Sequence, residues 1–181
     1  MGLPGSQQRI QRLVDEHYVA LYRYAYRLSG TAADAEDLTQ EAFCKAQMNL
    51  GQLHDPSRVK SWLFCILRNV YLQKARAEKK RRCVSLTDLN DVPERPTGPL
   101  PPVEPEQLQE ALNELPEGFR TPVILYYFED FSYRDIAQQM DIPLGTVMSR
   151  LARAKAHLRA RLADPAEDGV AAGRRRTHDG L

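Results

Sequence analysis

SYRDIAQQMDIPLGTVMSRLARAKAHLRARL, residues 132 to 162, divides into a helix, a tight turn and a second helix. Ser132 followed by Asp135 makes a capping-box start, because each side chain can satisfy a free backbone N–H at a helix N-terminus. Ile136, Ala137 and Met140 supply an inward face. Asp141 falls where the chain must turn and tolerates a left-handed conformation, and Pro143 pre-sets the dihedral for a new first turn. In the second helix Val147, Leu151, Ala154, Leu158 and Leu162 recur as an apolar stripe at 3.6-residue spacing.

The opposite side of that helix carries Gly145, Ser149, Ala152, Arg153, Ala156 and Ala160, so it can approach a grooved surface closely. Arg150, His157 and Arg161 border it on one edge, Lys155 and Arg159 on the other. Small residues at the centre with cations at both rims suit a helix lying in the major groove of DNA. The same pattern also suits an ordinary solvated basic helix, and helix-turn-helix geometry occurs as plain packing.

The remaining chain reads as all-α. One amphipathic helix runs from Gln8 to about Leu28, with Ile10, Leu13, Val14, His17, Leu21, Tyr24, Ala25 and Leu28 on its inner side. Ser29-Gly30-Thr31 ends it, and a second helix runs from Thr31 or Ala32 to about Leu50. Arg58 to about Ala77 is a third helix, or two meeting at a bend. Residues 84–106 hold six of the chain's twelve prolines without helical periodicity. They are expected to be a flexible linker that leaves the halves as separate bodies. Beyond it we expect one helix through Leu108 to Leu115, another from Thr121 to Phe128 with Pro122 at its start, and then the helix-turn-helix. The domain plan is thus 8–83, linker 84–106, 107–163, and a disordered tail 164–181 with Arg174 to Arg176 as a weak electrostatic contact.

The net charge is +1, and its distribution says more than the total. From Lys60 to Arg82 eight cations face only Glu78, whereas from Cys83 to Phe119 eight acids face only Arg95. Two basic helical segments separated by an acidic connector suggest two nucleic-acid contacts. In the first of them Trp62, Arg68, Asn69 and Tyr71 mix aromatic, cationic and amide groups, which suits either a packed core with a solvated end or the holding of unstacked bases. Asp37, Gln40 and Glu41 share one side of the second helix. Acids near a helix N-terminus suit its dipole, and the same patch could meet a basic partner.

Other function classes find little support. No apolar run reaches bilayer length and the N-terminus lacks a secretory apolar region, so a cytoplasmic protein without membrane insertion is expected. Cys44, Cys65 and Cys83 are widely spaced, which argues against a zinc site or a disulfide framework, and Cys44 and Cys65 are expected as packed thiols. Phosphate-cradling glycine loops, nucleophile elbows and paired metal-binding histidines are not found, so neither an enzyme nor a cofactor is expected.

DAEDLTQEAF at Asp34 to Phe43, WLFCILRN at Trp62 to Asn69, and LPEGFRTPVILYYFEDFSYRDIAQQMDIPLGTVMSRLARAKAHLRARL at Leu115 to Leu162 together resemble the sigma-70 family, in its extracytoplasmic-function (ECF) group. The resemblance implies two small helical domains, a region 2-like bundle at 8–83 and a region 4-like helix-turn-helix at 107–163. It implies a transcription initiation factor that binds core RNA polymerase and directs it to −10 and −35 promoter elements, with an anti-sigma factor as a further candidate partner. Asp37, Gln40 and Glu41 match positions that grip the polymerase clamp. The segment from Lys60 to Arg82 resembles the part that melts and reads the −10 element, with Trp62, Arg68, Asn69, Lys74, Arg76 and Lys79 as its contacts and Asn69 lining a pocket for a flipped-out base. Thr146, Met148, Ser149, Arg150 and Arg153 stand at −35 positions. Met148 departs from the family's usual arginine or lysine, and Asp141 from its usual turn glycine. The competing reading is a helix-turn-helix regulator that binds operator DNA without polymerase.

Overall fold

The structure, a computed structural model, describes residues 4–81 and 103–163. Every regular element among them is helical: α1 Pro4–Ser29, α2 Ala32–Met48, α3 Val59–Arg81, α4 Pro105–Glu114, α5 Glu117–Tyr127, α6 Tyr133–Met140 and α7 Leu144–Ala163, with short 3-10 turns at Leu50–Gln52 and Pro56–Arg58. The expected tail, with Arg174 to Arg176, and most of the expected linker lie outside the described residues. Where the linker meets them its boundary moves, because Pro105 and Glu106 already belong to α4. Proline suits a first helical position, where its missing N–H would have had no intrahelical partner.

The N-terminal half is a three-helix bundle built on the period seen in the sequence. Leu21, Tyr24, Ala25 and Leu28 of α1 are fully buried against Ala35, Leu38, Ala42, Phe43 and Ala46 of α2 and Leu63, Phe64, Leu67 and Val70 of α3. Alanines at 35, 42 and 46 add little bulk where α2 meets its neighbours. Thr39 is buried among them, and its hydroxyl donates to the Ala35 carbonyl at 2.7 Å, so burial leaves no unmet donor. Thr31 caps α2 by accepting from the Asp34 N–H. Helix α3 is one uninterrupted helix rather than two. Cys44 corrects the expectation of a packed thiol, since it lies on the exposed side of α2, whereas Cys65 is half-buried.

Helix α5 starts four residues before the expected Thr121, and Pro122 sits inside it rather than at its start. A proline there cannot donate to the carbonyl four residues back, which belongs to Gly118. The Arg150 guanidinium of α7 stands 3.3 Å from that oxygen instead. A side chain from a neighbouring helix thus serves the acceptor that Pro122 leaves, and α5 continues.

The two halves are not separate bodies in this structure. Phe64 of α3 stacks on Tyr24 within its own half at 4.8 Å and meets Phe131 of the other half at 5.2 Å, so one hydrophobic cluster runs through both. Polar contacts frame this junction. Arg120 of α5 donates to the Leu28 carbonyl in the last turn of α1 at 2.6 Å, and to the Asn113 and Leu115 carbonyls at the end of α4 at 2.6 and 2.9 Å. One guanidinium therefore serves the orphan acceptors of two helix ends. The Arg68 guanidinium pairs with Glu117 at 3.1 Å, and that of Arg27 lies 3.8 Å over the Phe128 ring. Lys60 donates to the Glu129 backbone carbonyl at 2.6 Å. The Glu129 side chain is itself buried, and burial pushes its carboxyl above the usual range against the opposing pull of Lys60 and Arg27.

Gly30, between α1 and α2, has a φ of +85°, and a Cβ there would come within 2.8 Å of the Asn113 side chain. Both the left-handed backbone and the approach of α4 favour glycine. We expect Gly30→Ala to lower stability by about 1–3 kcal/mol, read as a fall in the thermal midpoint. An unchanged midpoint would show that this turn relaxes freely around a methyl group.

Candidate nucleic-acid interface

The helix-turn-helix forms as its sequence dictates. Ser132 accepts from the Asp135 N–H while the Asp135 carboxylate accepts from the Ser132 N–H, closing a capping box at the start of α6. Asp141 ends α6 in the left-handed region at φ 53°, and the Ile142 N–H turns back to the Ala137 carbonyl. Pro143 stands just before α7, where its carbonyl accepts from the Thr146 and Val147 N–H groups. Val147, Leu151 and Ala154 are buried, so the stripe read from the sequence fixes the rotation of α7.

That rotation leaves Gly145, Met148, Ser149, Ala152 and Arg153 exposed, with Thr146 and Arg150 half-buried. Phe119 of α5 provides a platform, with the Arg153 guanidinium 5.5 Å and that of Arg150 6.0 Å from its ring centroid. Arg150 is therefore held on two sides, by this ring and by the Gly118 carbonyl. The Ser149 hydroxyl donates to the Thr146 carbonyl at 3.0 Å. Farther along, Arg161 pairs with Glu114 of α4 at 2.9 Å, so the far end of one cationic edge is tied to the protein.

The basic segment of α3 has a more divided geometry. Trp62 and Asn69 lie two turns apart on one side of the helix, with Cys65 between them. Trp62 is half-buried against the core, while Asn69 is exposed. Trp62 also lines a groove of about 950 Å³ between the 52–58 connection and the C-terminal half, whose far wall carries Asp130, Phe131, Asp135 and Gln139. Arg68 is engaged within the protein here, its side chain only 13% exposed and paired with Glu117. Lys74 and Arg76 face solvent. Lys79 belongs to α3, but its side chain lies outside the described ones.

On α2, Asp37 and Gln40 are exposed, whereas Glu41 is held between Lys45 at 3.3 Å and Lys74 at 3.4 Å. The acidic patch and the basic segment, expected to serve different partners, thus touch through one ion pair. Sequence reasoning missed the Phe119 platform, the Glu117 partner of Arg68 and the wall of the groove formed by the 52–58 connection. Phe119 stands 31 and 34 residues before the two arginines it supports, and nothing local ties them together.

Comparison with known proteins matches both halves of the chain. A family model described as Sigma-70 region 2 matches residues 13–81, and one described as Sigma-70, region 4 matches residues 105–158. The chain is 34% identical over 165 residues to the ECF RNA polymerase sigma factor SigL of Mycobacterium tuberculosis, a match covering 89% of this chain and 93% of that relative. The chain belongs to the sigma-70 family. Its relatives place it in the ECF group, among them the ECF RNA polymerase sigma factor SigE of Mycolicibacterium smegmatis, 38% identical over 156 residues, which span 83% of this chain and 60% of that longer relative. A solved structure of the sigma factor RpoE with the anti-sigma factor NepR, from Bartonella quintana, matches with a TM-score of 0.69 at 27% identity, over 91% of this chain and all of that one. No helix among the described residues of this sigma factor is long and apolar enough to cross a membrane.

Proposed function

We propose that this ECF sigma factor binds core RNA polymerase through the exposed α2 patch and places two DNA-reading faces, on α3 and α7, against the −10 and −35 elements of a promoter. Residues 8–83 take the first two tasks and residues 105–163 the third, with the segment between them setting the span. The observation that carries this is the coexistence, on one family-matched chain, of a polar α2 face free at Asp37 and Gln40 with a helix-turn-helix whose α7 exposes small residues between cationic edges. Promoter opening is assisted by binding energy at Trp62 and Asn69, where stacking and an amide can select an unstacked base, and the factor needs no catalytic step of its own. Arg68 reaches DNA only when Glu117 releases it, so engaging the −10 element breaks the ion pair between α3 and α5. The NepR-bound relative supports an anti-sigma factor as the partner that controls this.

Reconstitution tests the reading. With core polymerase the chain should start transcription at a defined set of promoters that the core alone ignores. Failure at every promoter, while another sigma factor succeeds in the same assay, would overturn it. Tight, specific binding to duplex promoter DNA without polymerase would favour a stand-alone regulator instead. Within the reading, Arg153→Ala should lower transcription by roughly 5- to 100-fold at particular −35 sequences, the range for losing one base contact. Lys79→Ala should weaken all promoters by similar factors and reduce the salt slope of binding by about one. Equal, sequence-independent losses from both would remove Arg153 as a base reader.

A further inference from the structure

The N-terminal half of α7 is lopsided. On one edge the donor-bearing side chains already have work: the Arg150 guanidinium serves the Gly118 carbonyl, that of Arg153 stacks on Phe119, and the Ser149 hydroxyl donates to Thr146. On the other edge stand Leu144, 43% exposed, and Met148, 51% exposed, one turn apart. Gly145 beside them has no neighbouring atom within 4 Å of where a Cβ would project, so no described residue from elsewhere in the fold crowds that position. Lys155 and Arg159 continue the same edge and are exposed. An apolar pair is thus placed in line with cations on the face that turns away from the core.

We propose that Met148, with Leu144, reads thymine in the −35 element by apolar contact with its 5-methyl group. The inference rests on the assignment of α7 as the −35 reader. In the major groove the methyl is the feature by which thymine presents carbon rather than a hydrogen-bonding atom. A thioether on an unbranched chain adapts to such a surface. A cationic side chain at 148 would instead seek the guanine O6 and N7 acceptors, so methionine there shifts the preferred base pair from G·C towards A·T. Lys155 and Arg159 follow on the phosphate rim, which gives the apolar pair a fixed register against the duplex.

The test uses the full chain with core polymerase on promoters recovered from a library randomised across the −35 region. Each −35 thymine is replaced in turn by deoxyuridine, which removes only the methyl group. Transcription by the unmodified chain should fall roughly three- to tenfold at one or two positions, about the worth of one buried methyl. Met148→Ala should make those positions indifferent to the change, and Met148→Arg should recover promoters enriched in guanine there. The exposed position lets both variants keep the fold. Equal transcription of thymine and uracil templates by the unmodified chain would overturn the proposal, as would undiminished sensitivity in Met148→Ala. So would a loss in Met148→Ala that is the same on both templates. Absence of transcription from every template, while another sigma factor succeeds in the same assay, would instead sink the proposed function itself, and this inference with it.

Discussion

Phe64→Ala is expected to lower the unfolding free energy by about 3–5 kcal/mol, the cost of deleting a buried phenyl ring and leaving its space partly unfilled. The ring is fully buried and has aromatic partners on both sides, Tyr24 at 4.8 Å and Phe131 at 5.2 Å. Few neighbours can collapse into that space, because Tyr24 is fixed on α1 and Phe131 belongs to the other half. The loss should also reach the junction. A double-mutant cycle with Phe131→Ala should show a coupling of about 0.5–1.5 kcal/mol, the range for aromatic pairs. Urea unfolding followed by fluorescence measures both. Additive losses from the two substitutions would mean that the halves do not depend on each other through these rings.

The largest effect on activity is expected from Asp37→Arg. Asp37 is exposed on α2 and makes no hydrogen bond or ion pair among the described residues, so reversing its charge leaves the fold within about 0.5 kcal/mol. If Asp37 meets a basic polymerase surface as proposed, the substitution replaces attraction with like-charge repulsion worth several kcal/mol. Affinity for core polymerase should therefore fall by about 100-fold or more, with transcription lost at every promoter alike. Glu41→Ala should have a smaller effect, because Glu41 is already shared between Lys45 and Lys74. Competition against a labelled sigma factor for core polymerase reads both variants. Unchanged competition by Asp37→Arg would move the polymerase contact away from this face of α2.

Helix positions were legible because each helix needs one apolar stripe, and Leu21, Tyr24, Ala25 and Leu28 or Val147, Leu151 and Ala154 display it within a single element. The capping box at Ser132 and the left-handed Asp141 were legible for the same local reason. What failed was non-local. Pro122 reads as a helix start unless Arg150, 28 residues later, is known to meet the Gly118 carbonyl. The packing of the halves was hidden because a hydrophobic pattern says which side of a helix seeks cover, not which element supplies it. Contacts such as Arg120 to Leu28, 92 residues apart, leave no spacing signal. Arg68 and Glu41 were recognised as functional types, but Glu117 and Lys74 reach them from other helices, and only the fold shows that both are occupied.

The proline inside α5 has a further consequence for α7. An arginine side chain carries about 2 kcal/mol of rotamer entropy, which a DNA-binding residue ordinarily gives up on meeting its target. Arg150, drawn to the carbonyl that Pro122 leaves open and braced by Phe119, has surrendered much of that freedom by the time the chain is folded. If α7 reads the −35 element as proposed, Arg150 meets the duplex pre-organised, and the association step carries a smaller ordering cost. Restoring the ordinary helix bond with Pro122→Ala would untether the guanidinium. A residue that never touches the promoter would then govern how sharply the reading helix distinguishes one sequence from another.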